Sequence, residues 1–228
     1  MAGKGGGDHP FATGLVYVLG LVIAVFLLGR FTHTDLLGMA RDGSDAVSRT
    51  LGGLFGGGSA ELGDLRVAEA GSMHGYRPAK FPGDDGDGCH TREEILARDL
   101  GDARRHGPCT VTSGTLHDPY TGRTVRYRNG HPGTVVVEHI VPLPVAWRSG
   151  AAGWDRAKRT RFANDPDTLV AVAARTSRDR DERPPDRWRP DRRYRCAFAQ
   201  RYVTVARDYD LTVTKSQHDA LATMLGGC

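Results

Sequence analysis

Residues Val135-Val136-Val137-Glu138-His139-Ile140-Val141-Pro142-Leu143 form an apolar run broken by one carboxylate and one imidazole side by side. Such a run reads as a buried strand, and burying Glu138 and His139 with it is costly unless they are paired or bind a metal. The pair is therefore a candidate site. On the residues alone, a salt-bridged pair at a strand end accounts for it as well as a reactive centre does.

A chain of 228 residues normally holds one or two domains, but 30 glycines and an uneven charge distribution leave only part of it to pack a core. Phe11 to Leu28 is uncharged and rich in Leu, Val and Phe, long enough to span a bilayer with little tilt. No clear small-residue cleavage site follows it at Gly29-Arg30-Phe31. We read 1–10 as a short N-terminal tail, 11–29 as a transmembrane signal anchor, 30–74 as a Gly-rich tether and 75–228 as the globular domain. Secretion after signal-peptide cleavage is the alternative. The tether leaves room for a short amphipathic helix around 35–54.

Within the domain, Gly83-Asp84-Asp85-Gly86-Asp87-Gly88 looks like a calcium loop but lacks the closing Glu, and reads as an exposed turn. Thr91-Arg92-Glu93-Glu94 reads as a capping box opening a helix through Leu100. Residues 109–116 and 123–128 alternate in strand fashion around His117-Asp118-Pro119-Tyr120-Thr121-Gly122, which predicts a β-hairpin. A strand over 134–140 precedes a loop with Pro142 and Pro144. A helix over 154–164 is stopped by Pro166, and a second strand follows over 169–174. The Arg-rich segment beyond starts a further helix, another runs over 194–208, and Ser216 caps a last helix through Leu225.

Four cysteines, Cys89, Cys109, Cys196 and Cys228, fall in this part and none forms a C-x-x-C pair, so a zinc site is poorly supported. Two disulfides are the natural count, in any of three connectivities; we expect Cys89 with Cys109 and Cys196 with Cys228, neighbours in sequence. Disulfides put the domain outside the cytoplasm.

Beside the Glu138-His139 strand stand Gly88-Cys89-His90-Thr91-Arg92, Cys109-Thr110-Val111, Ser113-Gly114, Asp118-Pro119-Tyr120-Thr121-Gly122, Arg161-Phe162-Ala163-Asn164-Asp165-Pro166, Arg195-Cys196 and Met224-Leu225-Gly226-Gly227-Cys228. In order and residue type these motifs resemble the HNH, or ββα-metal, nucleases. The branch they resemble is that of small actinobacterial HNH proteins related to the C-terminal domain of GmrSD-type restriction endonucleases. The resemblance covers about 75–228. It implies an α+β fold, with a ββα-metal core, extra helices and a β-hairpin, here preceded by one transmembrane helix.

The resemblance also implies roles. His139 would activate water as general base, with Asn164 and Thr168 beside it. Glu138, pointing the other way from the strand, would hold one divalent metal, Mg²⁺ or else Mn²⁺, with Ser177. Two departures weaken the match: Thr168 stands where the family has Asn before the second strand, and Ser177 where Asn completes the metal site. Asp179 or Asp181 could substitute for Ser177 if the helix started slightly later. The expected function is a membrane-anchored, extracytoplasmic, metal-dependent endonuclease; the alternative is a degenerate module that binds nucleic acid or a cell-envelope partner.

Charge supports a polyanion partner, DNA ahead of RNA. From Arg156 to Arg207 fifteen Lys and Arg face seven Asp and Glu, while the entire chain is only +4. Arg156, Lys158, Arg159, Arg161, Arg178 and Arg180 are the candidate phosphate contacts, giving affinity that falls with salt. Because Arg and Asp alternate, a solvated surface explains the same pattern. Trp188 and Tyr194 could stack on bases or pack in the core.

Overall fold

A computed structural model describes residues 62–83, 89–131 and 134–228. The apolar stretch at 11–28, the helix considered at 35–54 and most of the acidic turn after Gly83 lie outside them. In chain order the elements are α1 (Thr91–Asp99), β1 (Leu100–His106), β2 (Thr110–His117), β3 (Thr124–Arg128) and β4 (Val135–His139). They continue with α2 (Leu143–Arg148), α3 (Arg156–Asn164), β5 (Leu169–Ala173), α4 (Ala174–Arg180), α5 (Arg195–Asp208) and α6 (Lys215–Leu225).

The apolar run becomes β4, which pairs antiparallel with β5 so that Val136 faces Val172, Glu138 faces Val170 and His139 faces Leu169. Successive side chains leave a strand on opposite faces. Val136, Val170 and Val172 pack into a large core with Phe162, Phe198, Tyr202 and Trp147. Val135, Val137, Leu169 and Ala171 pack into a smaller one with Ile95, Leu96, Val111 and Leu116. A strand pair with a core on each face has apolar residues on both sides, which is why its sequence does not alternate. Helix α4 leaves β5 without an intervening loop, completing a strand-strand-helix unit.

The expected hairpin is present as β2 and β3, and β1 joins it to make a three-stranded antiparallel sheet. Strand β1 was not expected. Its residues Leu-Gly-Asp-Ala-Arg-Arg-His are mostly exposed and its register slips between Gly101 and Arg105, so it carries no alternation to read. The turn joining β2 and β3 depends on Gly122, whose φ of +70° and closeness to the Tyr194 hydroxyl leave no space for a side chain.

Several local expectations are corrected. His90, not Thr91, is the N-cap of α1 and no side chain caps it. The Thr91 hydroxyl is drawn instead to Asn164 (3.2 Å), and the Glu93 carboxylate accepts the Val111 N–H (2.7 Å), binding α1 to β2. The loop expected at Pro142 and Pro144 is helix α2, since a proline in the first turn removes no helical hydrogen bond. Helix α6 is capped by Thr214 in a capping box with Gln217; Ser216 donates to Asp186 (2.9 Å).

The tether does not extend to residue 74. Leu62 and Leu65 are buried in the large core, the Ala68 N–H bonds the Val213 carbonyl, and the Gly71 N–H bonds that of Arg148. Both disulfides join the expected partners: Cys89–Cys109 and Cys196–Cys228, with Cα atoms 5.3 and 5.4 Å apart. Among the described residues no helix is long and apolar enough to cross a membrane.

Candidate functional site

His139 ends β4 with its ring stacked on Phe162, centroids 5.5 Å apart and planes 9° from parallel. Phe162 is held from below by Trp154, Tyr209 and Phe81. The Ala163 carbonyl hydrogen-bonds the imidazole. Part of His139 remains accessible, but its Nε2 is buried without a partner among the described residues. Burial lowers its pKa to about 4, opposed by the Ala163 bond and reinforced by the Arg180 charge. The imidazole is therefore neutral at physiological pH, the form a base requires.

Asn164 and Thr168 brace the backbone around Phe162 and Ala163. Asn164 Nδ2 donates to the Thr160 carbonyl (2.7 Å) and the Pro82 carbonyl (3.0 Å), while Oδ1 accepts from Thr91. The buried Thr168 hydroxyl bonds the Phe162 and Asp165 carbonyls, both at 2.8 Å, and its own carbonyl accepts the Ile140 N–H. Thr168 thus fixes the backbone that carries the stacking partner of His139.

Glu138 projects to the other face, where it meets a residue that sequence reasoning put on the surface. Arg180 is 1% exposed. Its Nη1 donates to Glu138 Oε1 at 2.6 Å, to the His139 carbonyl and to the Tyr120 hydroxyl, and its Nη2 donates to the Ile140 carbonyl at 2.6 Å. The guanidinium is enclosed by the rings of Tyr120, Trp188 and Phe198. Burial alone would lower its pKa, but Tyr120 and Glu138 raise it above the usual arginine value. Arg180 is no phosphate contact, and Trp188 packs in the core. Nothing in the alternating Arg-Asp sequence marked Arg180 as the one turned inward.

Helix α4 brings Ser177, half-buried, one turn before Arg180. Asp179 accepts the Trp188 indole N–H (2.8 Å), and Asp181 ends the helix in the left-handed region. Glu182 follows, also at positive φ, and lines a cavity of about 170 Å³ with Glu138, His139 and Arg180. Burial, with the charges of Asp181 and Glu138, raises the Glu182 pKa. Glu138 already has a cation at 2.6 Å, Asp179 is engaged and Ser177 offers only a neutral hydroxyl. Among the described residues no three of His, Cys, Asp or Glu gather to hold an ion. These residues do not fit a divalent metal on Glu138 and Ser177.

Of the other expected phosphate contacts, Arg156, Arg161 and Arg178 are exposed. Lys158 pairs with Asp210 (3.3 Å) over the Trp154 ring, and Arg159 bonds the Lys80 and Trp154 carbonyls. Arg156 and Arg161 line a cleft of about 670 Å³ with Thr160 and Asn164. A second cleft, about 700 Å³, is lined by His90, Arg92, Val135 to Val137, Ala163 and Asn164. The two share Asn164, next to the residue that bonds His139.

A family model for the C-terminal domain of GmrSD restriction endonucleases matches residues 91–224, from the first residue of α1 to the penultimate residue of α6. The chain belongs to this family. A protein of Arthroderma benhamiae, described as an uncharacterized secreted protein, is 36% identical over 172 residues, covering 73% of this chain and 82% of the relative. No solved structure matches the chain. The GmrSD C-terminal span contains the Glu138-His139 strand and α4 but excludes Cys89 and Cys228, so each disulfide clasps a cysteine inside the family domain to one just outside it.

Proposed function

We propose that this GmrSD-type domain is an exported nuclease that hydrolyses phosphodiester bonds of nucleic acid, DNA in the first instance, with His139 accepting the proton of the attacking water. The observation that carries this is the placement of His139: a neutral imidazole fixed by Phe162 and the Ala163 carbonyl at the edge of a cavity it shares with Glu138. His139 also lines the cavity of about 170 Å³ with Glu138, Arg180 and Glu182, the space in which an attacking water would lie. The clefts carrying Arg92, Arg156 and Arg161 share Asn164, next to the residue whose carbonyl bonds His139, and suit a phosphate backbone. Export is supported by the two disulfides and the secreted relative, with the apolar stretch at 11–28 as its signal or anchor.

The Glu138–Arg180 ion pair favours a second reading, a module that binds nucleic acid without cutting it. Plasmid and single-stranded DNA incubated with the full oxidised chain separate the two. His139→Ala is expected to slow cleavage by at least about a hundredfold, the usual contribution of a general base. Equal cleavage by the variant would exclude His139 as the base. Salt-sensitive binding with no cleavage by either protein would establish the binding module.

A further inference from the structure

We propose that Arg180 is the built-in counter-ion of Glu138 and takes the place of a divalent cation there, so that the site assembles without metal. Its hydrogen bonds gather three successive positions at the end of β4: the Glu138 carboxylate and the His139 and Ile140 carbonyls. The backbone from which His139 projects is thereby fixed by a side chain of α4. Arg180 is a positioning residue, acting on His139 through β4 and touching no substrate.

Two physical arguments support the assignment. A guanidinium buried to 1% exposure needs an anion, and Glu138 is the carboxylate that it touches. A doubly charged ion on the same carboxylate would lie within a few ångströms of that buried positive charge, in surroundings where screening is weak. The ion would also compete for the oxygen that Arg180 already holds at 2.6 Å. The inference rests on the nuclease reading for the role of His139, which Arg180 positions, but it stands on the ion pair itself and is tested separately from cleavage.

The test is Mn²⁺ binding, followed by electron paramagnetic resonance and by thermal unfolding of the full chain, in the wild type and in E138Q, E182Q, R180K and R180M. The expected result is no saturable Mn²⁺ binding to the wild type and a melting temperature unchanged by Mn²⁺ or EDTA. R180K, which keeps the charge, should melt above R180M, which keeps only bulk; equal melting of the two would mean that Arg180 merely fills space and would overturn the counter-ion role. If R180M does not fold, E138Q carries the test, with a lowered melting temperature that Mn²⁺ does not restore. Saturable Mn²⁺ binding to the wild type that E138Q or E182Q abolishes would overturn the proposal. In parallel cleavage assays, activity that survives EDTA supports it and a strict metal requirement abolished in E138Q refutes it. Absence of cleavage throughout would defeat the nuclease reading while the Mn²⁺ result still decides the role of Arg180.

Discussion

Asp118 and Glu138 both reach helix α4, through Thr176 and Arg180, which lie four residues apart and so share a face of the helix. Asp118, 1% exposed, is met by neutral donors: the Thr176 and Thr121 hydroxyls, both at 2.6 Å, and the Tyr120 N–H at 3.4 Å. Glu138 is met by a buried cation. Spreading a carboxylate over several small donors lets any one be lost at modest cost, whereas a single buried ion pair is held together or broken as a unit. The hairpin end of α4 is thus built for tolerance, and the His139 end for a fixed arrangement.

The largest effect should come from breaking the ion pair on one side. Glu138→Ala leaves the Arg180 charge uncompensated among aromatic rings, and removing one partner of a buried pair costs about 3–5 kcal/mol. Urea unfolding at neutral pH measures it. The double variant E138L/R180M, which removes both charges, should recover most of that loss, with a coupling of at least about 1 kcal/mol. Additive losses in E138L, R180M and the double would show that the pair does not act as a unit.

A second difference between the two ends should appear in acid. The His139 pKa is about 4 in the folded chain and 6.5 when unfolded, so between those values the unfolded state binds more protons. Stability is then full above pH 6.5 and falls as the pH drops toward 4. At about 1.4 kcal/mol per pKa unit the loss approaches about 3 kcal/mol. Urea midpoints over this range measure it. His139→Phe, which can still stack on Phe162, should flatten that part of the profile. An unchanged slope would move its origin to other groups.

These contrasts explain what could be read in the sequence and what could not. The Val135–Val137 run, the hairpin flanking Asp118-Pro119-Tyr120-Thr121-Gly122 and the cysteine pairing were legible because hydrophobic runs, turn residues and a small number of thiols leave few solutions. Strand β1 was hidden because an exposed edge strand buries too little to show a pattern. Residues 62–74 were hidden because two leucines and a few backbone hydrogen bonds suffice to dock a glycine-bordered segment. Glu138 and His139 were visible as a costly pair, but the partner of Glu138 was not. Arg180 lies 42 residues away within an Arg-Asp alternation, and only the packing of α4 against Tyr120, Trp188 and Phe198 selects it from its neighbours.

The smallest effect is expected at the tolerant end, and it sharpens the comparison because it keeps the shape of the side chain. Thr176→Val removes one of the donors of Asp118 while filling the same space, leaving the Thr121 hydroxyl and the Tyr120 N–H in place. Loss of one bond to a buried carboxyl acceptor should cost about 1–3 kcal/mol, and Thr176→Ser, which retains the hydroxyl, should recover most of it. The same urea unfolding experiment applies. A loss in T176V as large as that in E138A would mean that α4 is held equally hard at both ends, and that the fixed arrangement extends from β4 through the whole helix to the hairpin turn.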